Sequence, residues 1–239
     1  MELTVVGCSP AWTNPGGAHS GYLLEQSGRL LLDCGPGVLS RLRERDGWPE
    51  VDAVVLTHLH LDHWGDIVPW ILGAALGPGR GVERPQLWVP EESRSELLQL
   101  GRMLSFGPLL EQVFALHTYD EHTSFRAAGL TVTPFRVPHY DRPSFALRVG
   151  DGRRTLTYSG DSAPSDRLVE AAHDADLFLC EATLAESGEA GRRGHLSAEE
   201  ALAAQHASGA RRLVIVHRPD ELPTPDGAGR ARDGDRYTL

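Results

Sequence analysis

The chain has no apolar run near the roughly 18 residues needed to span a bilayer. Its opening residues, Met1-Glu2-Leu3-Thr4, carry neither the basic stretch nor the apolar core of an export signal. No membrane partner is therefore expected, and a reducing cytoplasm is the default location. Cysteine is also scarce: Cys8, Cys34 and Cys180 are the only three and lie far apart. That excludes a disulfide framework and a thiolate zinc site. Positive charge is in short supply, with 23 Lys and Arg against 33 Asp and Glu and a formal net charge of −10. A long nucleic-acid footprint normally shows a basic face, so extended nucleic acid is disfavoured as a partner. The basic clusters (Arg41, Arg43, Arg45; Arg192, Arg193; Arg211, Arg212) sit among acidic or helical neighbours and read as solvated faces. No repeat at a period of roughly 20–50 residues and no low-complexity linker is visible. One domain over residues 1–239 is expected, with a short irregular tail from about 218 whose Pro-, Gly- and Asp-rich composition predicts mobility.

Short β-type runs are plentiful, among them Leu3–Val6, Tyr22–Glu25, Leu30–Asp33, Val51–Thr57, Gln86–Val89, Leu130–Val137, Ser144–Val149, Thr155–Tyr158, Leu177–Cys180 and Leu213–Val216. Asp235–Leu239 reads as a short edge strand. Helical patterns fall at Val38–Arg45, Glu91–Leu104, Ser165–Ala172 and Ala198–Ala207. The first half is rich in hairpins, whereas strand and helix alternate after residue 155. That mixture fits helix-covered sheets, an α/β sandwich.

The densest chemical signal is Thr57-His58-Leu59-His60-Leu61-Asp62-His63, which places four metal-ligating side chains within six residues. An apolar strand runs directly into it. At a strand end, positions i and i+2 share a side, so His58 and His60 can converge on one ion. The following turn can swing Asp62 and His63 toward a second. Imidazole and carboxylate suit Zn, with Mn or Fe also compatible. Two ions need further ligands, and three other apolar strands end in one: Val137-Pro138-His139, Tyr158-Ser159-Gly160-Asp161 and Val216-His217. Gly160 permits a sharp turn there.

In order and context these residues resemble the five ligand motifs of the metallo-β-lactamase superfamily, over Leu3 to about His217. The resemblance implies a four-layer αβ/βα sandwich with the metals at the sheet edge. It implies that His58, His60 and His139 hold one ion, that Asp62, His63 and His217 hold the other, and that Asp161 bridges them. Charge supports an anionic substrate independently. Two divalent ions, two carboxylates and a hydroxide leave a net charge of about +1, which attracts a phosphodiester and stabilises charge building on its oxygens.

Cys180-Glu181-Ala182-Thr183 and Gly194-His195-Leu196-Ser197 resemble the Glu-Ala-Thr and His-Ser/Thr loops of the branch holding ribonuclease Z and its phosphodiesterase relatives. By that resemblance Glu181 orients His195, and His195 protonates the leaving oxygen. Ser197 and Glu200 already form a capping box for the helix that follows, which leaves His195 free for another task. The run Ser187–Gly191 before it reads as flexible. The tRNA-processing members carry an inserted arm between the ligands matching His139 and Asp161; here that interval holds only two strands and a turn. The landmarks "LLDCGPGVLSRL", "LTHLHLDH", "YSGD" and "GHLSAEEA" look closer to small relatives described as cyclic-nucleotide phosphodiesterases. Arg218-Pro219, however, departs from the tRNA-processing pattern, where a serine and a basic residue follow.

The expected activity is thus metal-dependent hydrolysis of a small phosphodiester, a cyclic nucleotide first. Asp62 would orient the attacking hydroxide. An RNA-end nuclease, a lactone or thioester hydrolase and a non-catalytic metal binder stay open, as does a homodimer. The loop Pro10–Ser20 is expected near the metals, with His19 read as a loop residue rather than a ligand. Trp64 and Trp70 are left between core packing and a pocket wall.

Overall fold

A computed structural model of the chain describes residues 1–188 and 191–239. Glu189 and Ala190, inside the run expected to be flexible, lie outside the described residues.

The chain first builds one sheet and then the other. Strands β1 (Glu2–Gly7), β2 (Gly21–Glu25), β3 (Arg29–Leu32), β4 (Ala53–Val55), β5 (Gln86–Pro90) and β6 (Ala115–Tyr119) lie side by side in sequence order. The second sheet holds β7 (Phe125–Ala127), β8 (Leu130–His139), β9 (Arg142–Gly150), β10 (Thr155–Tyr158), β11 (Leu177–Glu181), β12 (Leu213–Val216) and β13 (Gly229–Arg230). The last strand, β14 (Arg236–Thr238), returns to the first sheet and pairs antiparallel with β1. Hairpins dominate where connections are short. Pairing becomes parallel where helices cross over, from β3 to β6 and from β10 to β12, and β13 adds in parallel to β12 after an irregular connection.

The helices cover the outer faces. Helices α1 (Val38–Asp46), α2 (Leu61–Trp64), α3 (Ile67–Leu76), α4 (Arg94–Met103) and α5 (Gly107–Val113) belong to the first half. Helices α6 (Asp166–Ala171) and α7 (Ala198–Ser208) belong to the second. Burial follows the period-two pleat. In β11, Phe178 and Cys180 face the helical layer, while Leu177 and Leu179 face the other sheet. Leu24, Leu30, Leu32 and Val55 meet Leu147, Leu156, Leu179 and Val214 between the sheets. The result is the four-layer αβ/βα sandwich.

Several expectations change. Helices α3 and α5 have no counterpart among the helical patterns of the sequence. Ile67–Leu76 is apolar nearly throughout, so no stripe marks it as helical. Strand β4 stops at Val55 rather than Thr57, because the Thr57 N–H leaves the ladder for a carboxylate oxygen of Asp33 at 2.7 Å. Trp64 and Trp70 both pack into the core beneath the first sheet. All three cysteines are free and buried. Among the described residues no helix is long and apolar enough to cross a membrane.

The tail marked by composition as mobile follows a hydrogen-bonded path. Its guanidinium at Arg218, 4% exposed, donates to the carbonyls of Ala182, Leu184 and Pro223. Farther on it adds β13 to one sheet and β14 to the other.

Phe178 is fully buried beneath the helical layer. Phe178→Ala should therefore cost about 3–5 kcal/mol. Urea denaturation should show a lowered midpoint with an unchanged slope, and a midpoint equal to the unsubstituted chain's would contradict this packing.

Candidate metal centre

Six strand ends meet at one edge of the sandwich. Asp33 follows β3, the His58–His63 segment follows β4, His139 closes β8, Asp161 follows β10, Glu181 closes β11 and His217 follows β12. Register makes the convergence specific. Leu32 pairs with Val55, Tyr158 with Leu179 and Glu181 with Val216, so their successors emerge side by side. Helix α2 then carries Asp62 and His63 back over the same point. Of six non-glycine residues with positive φ among those described, Asp33 (57°), Tyr140 (47°) and His217 (50°) stand at this edge. Such strain persists only where surrounding contacts enforce it. Gly160, at φ 56°, allows the close turn before Asp161; a Cβ there would stand 2.7 Å from the Phe145 carbonyl.

The structure gathers the sequence-predicted ligands into two groups that share Asp161. One is His58, His60, His139 and Asp161; the other is Asp62, His63, Asp161 and His217. Within each group the potential ligand atoms lie within 4.8 Å of one another. Asp161 Oδ2 is 3.8 Å from Nε2 of both His58 and His139, and Oδ1 is 3.3 Å from His63 Nε2 and 3.8 Å from His217 Nε2. Asp62 Oδ2 lies 3.0 Å from His217 Nε2 and 3.5 Å from His63 Nε2.

Four imidazoles are anchored from behind through Nδ1. His63 donates to Asp33 Oδ2 at 2.7 Å, and His139 donates to the Gly194 carbonyl at 2.7 Å. His58 donates to Thr57 Oγ1 at 3.0 Å, whose hydroxyl in turn donates to Asp33. His217 donates to Thr183 Oγ1 at 2.8 Å, whose hydroxyl donates to Glu181 Oε2 at 2.8 Å. Each bond fixes a tautomer whose Nε2 lone pair faces inward. His60 is reversed, with Nδ1 2.8 Å from His139 Nε2.

This donor set fits metal. His58 Nε2, His63 Nε2 and Asp161 Oδ1 are buried without a hydrogen-bond partner. Inward lone pairs and carboxylate oxygens at these separations repel unless a cation lies between them. The proton affinities show the same tension. Burial drives His58 and His139 below the ordinary histidine range and His60 down to about 4, so all three favour the neutral form that binds metal. Burial also opposes charge on His63, but the Asp161, Asp33 and Asp62 carboxylates pull it well above that range. A proton there takes the place of a cation. Burial works against ionised Asp161 and Asp62 too. The imidazoles of His217 and His63 nevertheless hold Asp161 far below the carboxylate range, and His63 does the same for Asp62.

His195 stands beside this cluster. Its Nδ1 is 2.8 Å from Glu181 Oε1 and 4.0 Å from Asp161 Oδ2. The fully buried Glu181 is itself held by the N–H groups of Ser162 at 3.1 Å and Thr183 at 3.0 Å. The capping box of α7 is formed by Ser197 and Glu200, so the histidine is not needed to close the helix. A cavity of about 590 Å³ opens over the cluster, lined by His60, Asp62, Asp161, Thr183 and His195 and walled by Trp12 and Tyr140. His19 also reaches this cavity but is tied to the Pro10 carbonyl at 2.9 Å and joins neither ligand group.

Sequence reasoning missed Asp33, Thr57 and Thr183 as anchors and Trp12 and Tyr140 as walls. The available signal for Asp33 was its place at the end of an apolar strand, next to the strand that carries the histidines.

A helix-covered pair of sheets with a histidine and aspartate cluster at the strand ends defines a metallo-hydrolase. The chain belongs to the β-lactamase superfamily, whose domain description matches residues 28–218. An uncharacterised protein of Mycobacterium tuberculosis is 34% identical, covering 97% of this chain and 86% of that protein. The probable metallo-hydrolase YhfI of Bacillus subtilis is 30% identical, over 92% of this chain and 87% of its own. The YhfI crystal structure superposes with a TM-score of 0.84, covering 99% of each chain at 25% identity. Ribonuclease Z of Myxococcus xanthus is 28% identical over 91% of this chain and 86% of its length.

Because Asp33 orients His63 and steadies Thr57 behind His58, Asp33→Ala should weaken divalent-metal binding, probed with zinc, by about 10–100-fold. Competition with a chromogenic chelator measures this, and an unchanged affinity would contradict the anchoring role.

Proposed function

We propose that the chain is a dinuclear metal-dependent phosphodiesterase acting on small nucleotides, with 3′,5′-cyclic nucleotides as the preferred class. His58, His60 and His139 would hold one divalent ion, Asp62, His63 and His217 the other, with Asp161 between them. Zn is the first choice, and Mn or Fe suit the same donors. When bound, such ions supply positive charge for a phosphoryl oxygen and lower the pKa of water to roughly 7.

The observation that carries the reading is the 2.8 Å bond between His195 Nδ1 and Glu181 Oε1, made beside the ligand cluster. An alkoxide is a poor leaving group, so a positioned acid is worth about 10²–10⁴ in rate. With Nδ1–H committed to a buried carboxylate, His195 would deliver a proton to the leaving oxygen through Nε2. Glu181 stabilises the charged imidazole that precedes this delivery. Asp62, at the cavity wall, accepts a hydrogen bond from the attacking water and orients it. Lactones and thioesters have easier leaving groups and less use for such a pair.

Substrate size is inferred from what surrounds the site. Tyr140 and Asp141 alone join β8 to β9, and the stretch to Asp161 is filled by β9, a turn and β10, with no arm to grip tRNA. A net charge of −10 adds to that preference. The relationship to ribonuclease Z keeps an RNA-end nuclease as the second reading. We place the enzyme in the reducing cytoplasm, in keeping with three buried free thiols.

The metal-loaded chain should be offered 3′,5′-cyclic nucleotides, linear dinucleotides and a short structured RNA side by side. Turnover is expected on the cyclic nucleotides first; turnover of the RNA alone, with steep salt dependence, would overturn the reading. His195→Ala should lower kcat on an alkyl-leaving substrate by about 10²–10⁴ with metal content intact. On a 4-nitrophenyl phosphodiester, whose leaving group needs no proton, the loss should be far smaller. Equal losses would remove His195 from the acid role.

A further inference from the structure

Large apolar side chains are seldom exposed on this protein. Among the described residues there are seven, and three of them, Trp12 (54% exposed), Leu61 (64%) and Tyr140 (37%), line the cavity over the histidine and aspartate cluster. The cavity therefore has a polar, ligand-bearing floor and an apolar, partly aromatic mouth. Trp64 and Trp70 sit closer in sequence to the ligands but are packed in the core, which leaves Trp12 as the indole at the site.

Neither aromatic is placed casually. Tyr140 takes a left-handed backbone at φ 47°, and its N–H donates to the Arg193 carbonyl at 3.1 Å. Its ring lies so close over Gly194 that a Cβ there would stand 2.3 Å from it. Trp12 rides on the loop between β1 and β2, and the tail grips that loop at both ends. Asp233 Oδ1 accepts from the Cys8 N–H at 3.1 Å. Asp233 Oδ2 accepts from the Ala18 N–H at 2.8 Å and pairs with Arg41 at 3.1 Å. The middle of the loop is held as well. Asn14 donates to the Arg218 carbonyl at 3.0 Å and accepts from the Asp220 N–H at 3.0 Å. A loop fixed at three points while its indole stays more than half exposed is built to present that indole. The ligand that complements such a site is charged at one end and flat and aromatic at the other.

We infer that Trp12 is a specificity-determining residue that stacks on the base of a nucleotide substrate, and that Asp233 is a positioning residue acting through it. The inference rests on the phosphodiesterase reading and names which part of the substrate the cavity mouth takes. It also assigns the C-terminal tail a task in substrate choice.

Calorimetry on the metal-loaded full chain, with AMP and ribose 5-phosphate as probes, isolates the contribution of the base. The unsubstituted chain should prefer AMP by roughly 5- to 150-fold, the range that stacking of one base supplies. Trp12→Ala should remove most of that preference, and Trp12→Phe should keep most of it. Asp233→Ala should reduce it in the same direction, and the Trp12→Ala, Asp233→Ala double variant should lose no more than Trp12→Ala alone. Additive losses would make Asp233 a merely structural residue. An AMP preference that survives Trp12→Ala would overturn the stacking role. So would a change in solution mass with Trp12→Ala while the preference stays, because it would assign the indole to contact between copies of the chain. Hydrolysis of methyl 4-nitrophenyl phosphate, which has no base, is measured alongside. Failure there would sink the phosphodiesterase reading while the base preference is judged on its own.

Discussion

Both sheets end their strands against one buried carboxylate, Asp161, and the rest of the site is arranged around it. Its oxygens face imidazole nitrogens of His58, His139, His63 and His217 at 3.3–3.8 Å. A buried carboxylate ringed by lone pairs is unfavourable unless cations divide the space. Four of the imidazoles are turned inward by bonds made behind them, so the cluster cannot relax by rotating its donors away. The fold imposes the crowding, and it is relieved when the cluster holds metal.

Asp33 shows how the site and the scaffold share parts. One carboxylate receives the Thr57 N–H, the Thr57 hydroxyl, His63 Nδ1 and the Tyr158 hydroxyl at 2.7 to 3.1 Å. It ends the β4 ladder, orients His63, steadies His58 through Thr57 and ties the first sheet to the second through Tyr158. Aiming the histidines thus costs β4 its local regularity. Glu181 does comparable work on the other side, joining Ser162, Thr183 and His195 and, through the Thr183 hydroxyl, His217.

The histidine and aspartate cluster was legible in the sequence because its chemistry is concentrated. Four donors within six residues after an apolar strand serve few purposes besides holding metal, and three more strands ending in His or Asp repeat the arrangement. The four-layer architecture was legible from the change of rhythm between hairpins and strand–helix alternation, together with the family resemblance. Asp33 was not, because an aspartate after a strand commonly caps a turn, and its partners come from distant segments. The walls were hidden for a similar reason. Trp12, Trp64 and Trp70 are equivalent in composition, and only packing sends two of them into the core and one to the cavity. The tail's contacts were not legible, because proline, glycine and aspartate speak only for its local irregularity. Its path is set by long-range bonds of Arg218 and Asp233 that no local pattern records. The weak strands β6, β7 and β13 are likewise defined by their neighbours rather than by their own residues.

The proposed chemistry depends on the strand-end cluster being a two-ion site shared through Asp161. Anomalous diffraction from crystals grown with saturating zinc, recorded on both sides of the zinc absorption edge, decides the point. Two peaks per chain are expected, one among His58, His60 and His139 and one among Asp62, His63 and His217, with Asp161 between them. A single peak, or none, would refute the shared two-ion site.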